Sequence, residues 1–252
     1  MERLRDGGNT ASLAEKTPAR AEGNEKKLLR RDSRFSYACR QCNRCCSRKI
    51  IKLNPYEVAR LSANRGISTT DFIRTFTLAH GTVLKLTDSG DCIFRTPRGC
   101  AVHPDRPLVC RLYPLGRHVG ANGEESFSLL PPHPESEGVF GREGTVADYL
   151  DAQDAEPYMD SVGQYLALLG RMLTALRAAG PDATGEVPPV QGRSPGKADP
   201  GVRIGLEWLD MDLLVADHCA RRGMPVPSAT EDKMAIHIQA VEARLDRLSK
   251  GG

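Results

Sequence analysis

The sequence predicts an α+β fold, mostly helical, forming a small-to-medium domain in which short strands and loops surround a cysteine-rich metal site. Three observations predict it. Helix-start signals followed by apolar residues at spacings of three or four recur between residues 54 and 249. Short β-branched pieces broken by turn residues occupy 82 to 109. Seven of the eight cysteines fall between Cys39 and Cys110.

Residues 1–34 mix Gly, Ala, Lys, Arg and Glu without apolar periodicity. Such a segment buries too little to offset its ordering entropy, so a disordered tail is expected. Residues 35–180 form the expected cysteine-cluster metal-binding domain. Its first cysteine block reads as a loop, after which Asn54, Pro55 and Glu57 make a capping box that opens a helix ending at Gly66. Ser68 and Asp71 start a second helix with Phe72, Ile73 and Phe76 on its apolar face. TVLKLT and CIFRT, separated by Asp-Ser-Gly and followed by Pro-Arg-Gly, suggest short strands. Helix returns over 145–180, with Tyr149, Leu150, Tyr158, Val162, Tyr165, Leu166, Leu169 and Leu173 on its apolar stripe. Residues 181–203, rich in Pro and Gly, read as a linker. A C-terminal helical pair follows over 204–250, its helices at about 204–222 and 229–249, with Ser228 and Glu231 as a capping box for the second.

The chain has 252 residues and a formal net charge of +3, too small an excess to argue for nucleic acid by itself. The first twenty residues lack the apolar core of a secretory signal, and no stretch reaches the roughly 18–20 apolar residues of a membrane span. A cytoplasmic protein without a membrane partner is expected. In a reducing compartment, clustered thiols are read as metal ligands or catalytic groups before disulfides.

Cys39, Cys42, Cys45 and Cys46 follow the pattern C-x2-C-x2-C-C, a spacing that brings successive sulfurs within reach of one metal around a tight turn. The flanking Arg, Gln and Asn residues argue against a buried apolar role. Adjacent side chains diverge, so Cys45 and Cys46 do not easily chelate one ion. Cys92, Cys100 and Cys110 join the block only through tertiary folding. Seven thiolates exceed one tetrahedral zinc site, which leaves room for a second ion, a cluster, or a site completed by His103, water or substrate. The five cations Arg40, Arg44, Arg48, Lys49 and Lys52 would favour thiolate anions. Contact with a phosphate backbone ranks behind this reading, since no aromatics alternate with them for base stacking, and a solvated face is the third reading.

CRQCNRCC, CIF, GCAVHPDRPLVCRLYP and EGVFGREGTVADYL resemble the YkgJ-like CxxCxxCC cysteine-cluster family, described as proposed zinc- or iron-chelating or Fe–S proteins. The resemblance covers about residues 37–170. It carries the family's cysteines onto Cys39, Cys42, Cys45, Cys46, Cys92, Cys100 and Cys110. The Arg-Pro and Cys-Arg-x-Tyr-Pro elements fall on Arg106, Pro107, Arg111, Tyr113 and Pro114. Some relatives place a further cysteine shortly after Tyr-Pro, where this chain has PPHPESEGVFG. A related group resembling flagellin lysine N-methylases carries the same cluster, which implies protein methylation as one activity for this chain.

Three functions follow. The leading one is a metal-binding protein holding zinc, iron or an Fe–S cluster. The alternatives are a metal-dependent protein lysine N-methylase-like transferase and a structural zinc module that binds a partner or nucleic acid through Arg40–Lys52. The C-x3-C-P ending of a two-cluster ferredoxin is missing, and so are a glycine-rich nucleotide motif and the C-x3-C-x2-C spacing of radical enzymes. Cys219 lies on a helical pattern and reads as core. Arg106 and Arg111 are candidates to hydrogen-bond sulfur or to pair with a carboxylate. Tyr113 reads as a packed ring ahead of a general acid, and His118, His133 and His237 have no cysteine neighbours.

Overall fold

The computed structural model describes residues 28–179 and 208–250. The first 27 residues of the expected tail and the expected linker lie outside them, as do the first four residues of the 204–222 helix. Among the described residues are seven α-helices and four two-stranded antiparallel pairs, which makes the fold α+β.

In chain order these are β1 (Tyr37–Ala38), α1 (Pro55–Arg65), α2 (Thr69–Phe76), β2 (Thr77–Leu78), β3 (Val83–Leu84), β4 (Arg95–Thr96), β5 (Gly99–Cys100), α3 (Leu108–Leu112), β6 (Leu115–Val119), β7 (Glu125–Leu129), β8 (Val139–Phe140), α4 (Val146–Ala152), α5 (Glu156–Ala179), α6 (Met211–Arg222) and α7 (Thr230–Lys250). The pairs are β1 with β8, β2 with β3, β4 with β5 and β6 with β7. Residues 28–34, placed in the tail by composition, lie along this framework. Leu29 exchanges backbone hydrogen bonds with Phe127, and Phe35 N donates to Gly144 O.

Start signals in the sequence act as their chemistry predicts. The Asn54 side chain accepts from Glu57 N while the Glu57 carboxylate accepts from Asn54 N, and Gly66 closes α1 in the left-handed region. Ser68 caps α2 by accepting from Asp71 N. Two expectations change. The helix expected over 145–180 is two helices, because Gln153 and Asp154, the latter at φ +48°, turn the chain between α4 and α5. On α5 the buried stripe is Tyr158, Met159, Tyr165, Leu168 and Met172, whereas Leu166 and Leu169 face solvent. A period of 3.6 carries the core face to position 168, one residue short of the expected Leu169.

Two apolar clusters flank α1. Tyr56 and Ala59 face the larger one, shared by α4, α5, α6 and α7. Val58 and Leu61 face a smaller one with Ile51, Leu53, Phe72, Leu84, Phe94 and Val102, against which Cys46, Cys100 and Cys110 pack. The C-terminal pair is docked by polar contacts as well. Asp210 accepts from the hydroxyls of Thr69 at 2.6 Å and Thr70 at 2.5 Å. Glu231, expected to cap α7 with Ser228, accepts from Tyr56 Oη at 2.9 Å and Arg60 Nη1 at 3.2 Å. No helix among the described residues is long and apolar enough to cross a membrane.

Candidate metal centre

The first cysteine block coils through two non-glycine residues in the left-handed region, Gln41 and Asn43, both at φ +54°. Such a conformation is costly for ordinary residues and persists where surrounding contacts hold it. Here Asn43 is clamped: its Nδ2 donates to Thr96 O at 2.6 Å and its Oδ1 accepts from Arg95 Nε at 3.1 Å. Arg95 also donates to Ser47 Oγ at 3.0 Å and pairs with Asp91 at 2.6 Å, and Ser47 Oγ donates to Asp91 at 2.6 Å. Cys92 N donates to Cys46 O at 2.8 Å. Gly99, at φ +115°, brings the β4–β5 turn so close that a Cβ there would stand 3.2 Å from Gln41 O. The two cysteine blocks are therefore fastened together by backbone and polar side chains.

Cys39, Cys42, Cys45, Cys100 and Cys110 line one cavity of about 50 Å³ with His103, Arg106 and Tyr113. That volume suits an ion; an organic cofactor needs roughly 300 Å³ or more. Cys46 and the buried Cys92 stand behind it, in the smaller apolar cluster. Among the described residues no three His, Cys, Asp or Glu side chains already converge as metal ligands do, so the sulfurs share a neighbourhood rather than a finished coordination sphere. Cys219 is fully buried in the larger core, away from this group, as its helical pattern predicts.

Backbone amides point at the sulfurs. Gln41 N donates to Cys39 Sγ at 3.4 Å, and the amides of Phe94 and Val102 act on Cys92 and Cys100 in the direction that favours their anions. In each case the amide lies two residues after the cysteine. Cys42 Sγ accepts from Glu137 N at 3.5 Å. The segment after Pro114 thus contributes an amide to the first cysteine block. Gly138 allows that approach, since a Cβ on it would collide with the Tyr37 ring.

Electrostatics divide the thiols. The neighbouring Cys46 thiol, together with Lys49 and Arg106, lowers the pKa of Cys45. Burial pushes Cys92, Cys100 and Cys110 up, with further opposition from neighbouring thiolates, and Cys46 rises because of the neighbouring Cys45. One thiolate forms readily and discourages the next. A divalent cation reverses that balance by offsetting the accumulated negative charge.

His103 is held neutral by burial and by the cations Arg106 and Arg111, and its buried Nε2 has no hydrogen-bond partner. A neutral imidazole with a bare nitrogen beside thiols is a competent metal donor. Among the described residues Arg111 neither bonds sulfur nor pairs with a carboxylate. It donates to Arg106 O at 3.0 Å, Gln153 O at 2.6 Å, Pro104 O and Tyr158 Oη at 2.9 Å, and stacks 4.1 Å from the Tyr158 ring centroid. It braces the turn that carries His103 and Arg106. Tyr113 Oη accepts from His133 N at 2.8 Å, and Lys49 sits 3.8 Å over its ring. Neither Tyr113 nor Arg111 stood out in the sequence as a brace, because both roles depend in part on residues far along the chain, His133 for Tyr113 and Gln153 and Tyr158 for Arg111.

Residues 38–131 match the CxxCxxCC family, described as "Putative zinc- or iron-chelating domain". No curated protein and no solved structure matches the chain.

Proposed function

We propose that residues 39–110 hold zinc or iron, as ions or as an Fe–S cluster, through Cys39, Cys42, Cys45, Cys100 and Cys110, with Cys46 and Cys92 extending the set and His103 as a nitrogen donor. The observation that carries this reading is the gathering of cysteines from both blocks around one ion-sized cavity, with backbone amides donating to Cys39 and Cys42. Amide donors favour sulfur in its anionic, metal-binding form. Thiolates suit zinc and iron alike, and seven of them suit more than one metal or a cluster.

When bound, the metal supplies folding energy and, if a position stays open to substrate, Lewis acidity or redox capacity. The chain's own residues bring the sulfurs together, donate hydrogen bonds to them and surround them with the charges of Lys49 and Arg106. A nucleic-acid module built on Arg40–Lys52 has less support. Lys49 is committed to the Tyr113 ring, and Arg44 faces Glu135 at 3.6 Å.

The test is metal analysis with an ultraviolet–visible spectrum of protein purified without oxygen, comparing wild type with Cys42→Ser and Cys100→Ser. Iron with sulfide and charge-transfer bands, lost in both variants, identifies a cluster spanning the blocks. Colourless protein with stoichiometric zinc identifies a zinc site. Protein without metal overturns the reading.

A further inference from the structure

The ion-sized cavity has a larger neighbour. An open cavity of about 320 Å³ lies between Cys39, His103 and Arg106 on one side and Gln153 and Asp154 on the other. The two cavities share Tyr37, Cys39, His103 and Arg106 as a common wall. Cys39 is the exposed member of the seven cysteines, whereas the other six are half-buried or buried. A metal held by the thiols would therefore be approached from the Cys39 and His103 side.

Arg106 is half-buried in that wall, yet its hydrogen bonds go to neutral atoms. Nη1 donates to His103 O at 2.7 Å and lies 3.4 Å from His103 Nδ1, and Nη2 donates to Gln153 Oε1 at 2.5 Å. Among the described residues no carboxylate pairs with it. Every other arginine around the site that has lost comparable exposure is tied to an acid or, like Arg111, has its donors filled. A guanidinium taken from water without an anion is costly, and its unused Nε and remaining Nη2 proton are the fork that binds carboxylates bidentately.

Resting on the metal reading above, we propose that the open cavity is the binding site of a small carboxylate. Its acid group sits on Arg106, and its adjoining polar atom reaches the metal past Cys39 and His103. Gln153 holds the Arg106 fork in place. The turn at Asp154 forms the outer rim.

The test uses the full chain loaded with cobalt in place of the native metal, titrated with glycolate and with its neutral analogue glycolamide while the visible bands are followed. Glycolate is expected to shift the bands at a concentration at least tenfold lower than glycolamide. Read on the cobalt-bound fraction, Arg106→Gln should abolish that preference. Should Arg106→Gln lose cobalt, Arg106→Lys decides, since it keeps the charge and loses the fork: a preference equal to that of wild type overturns the proposal. Cobalt bound without any glycolate response overturns the carboxylate site and leaves the metal reading standing. Failure of the wild-type chain to bind cobalt overturns the carboxylate site, while the metal reading stands or falls on the metal analysis above.

Discussion

Cys92 and Cys46 share a backbone hydrogen bond, N–H to carbonyl at 2.8 Å, so the two cysteine blocks are neighbours through the main chain itself. The larger core of α4 to α7 contains none of the seven clustered cysteines. Metal removal should therefore loosen the site while leaving the helices formed. We expect chelator-treated protein to keep its far-ultraviolet circular dichroism and to melt at lower temperature. A ligand at a thousand times its Kd contributes about 4 kcal/mol, roughly 10 °C for a chain of this size. A melting point unmoved by chelator and by added zinc or iron would contradict this.

The eighth cysteine separates packing from ligation. Cys219 is fully buried among Met211, Leu214, Val215 and Val241. Cys219→Ser places a hydroxyl there and should cost about 1–3 kcal/mol with bound metal per folded chain unchanged. Cys100→Ser should do the reverse, reducing metal content strongly in a chain that remains folded. Denaturant melts paired with metal analysis of both variants read the two effects separately.

The helix starts and the cysteine grouping were legible in the sequence because each is local. Asn54 with Glu57 and Ser68 with Asp71 act within one turn, and C-x2-C-x2-C-C spans eight residues. The β6–β7 hairpin escaped notice because its strands LGRHV and ESFSL are short and mixed in polarity. Its register is held partly from outside: Phe127 pairs with Leu29, and Glu125 takes an ion pair from Arg31 at 2.5 Å besides the one from Arg117 within the hairpin. The same reason hid the amide that Glu137 gives to Cys42, since a backbone donor carries no side-chain signature. Arg106 and Arg111 look alike in the sequence, and only their partners distinguish a cation with a free fork from a brace.

Arg111 offers a test of that brace. Its donors go to three carbonyls and one hydroxyl while its charge lies near the buried Glu57. Lysine has three donors on a single nitrogen and cannot reproduce the planar fork or the stacking on Tyr158. Arg111→Lys is expected to cost about 2–4 kcal/mol by leaving buried carbonyls unsatisfied. The loss should appear in chemical denaturation, together with weaker metal retention as His103 and Arg106 lose their support. Unchanged stability would mean that water or another group replaces the bonds.

His237 on α7 makes stability depend on pH away from the metal site. It is fully buried, with Nδ1 3.1 Å from Tyr165 Oη on α5. Burial lowers its pKa to about 4, the nearby Arg244 acts in the same direction, and a Trp208 backbone bond and Asp210 oppose them. The ordinary value is about 6.5. Between these values the unfolded chain binds a proton that the folded chain refuses, so stability present above pH 6.5 is lost as the pH falls towards 4. The difference corresponds to about 3 kcal/mol over that window. His237→Gln, which cannot titrate, should start from lower stability at neutral pH and fall less between pH 6.5 and 4 than the parent. Urea melts of apo-protein across that range measure both slopes, and parallel slopes would show that another group governs the acid response.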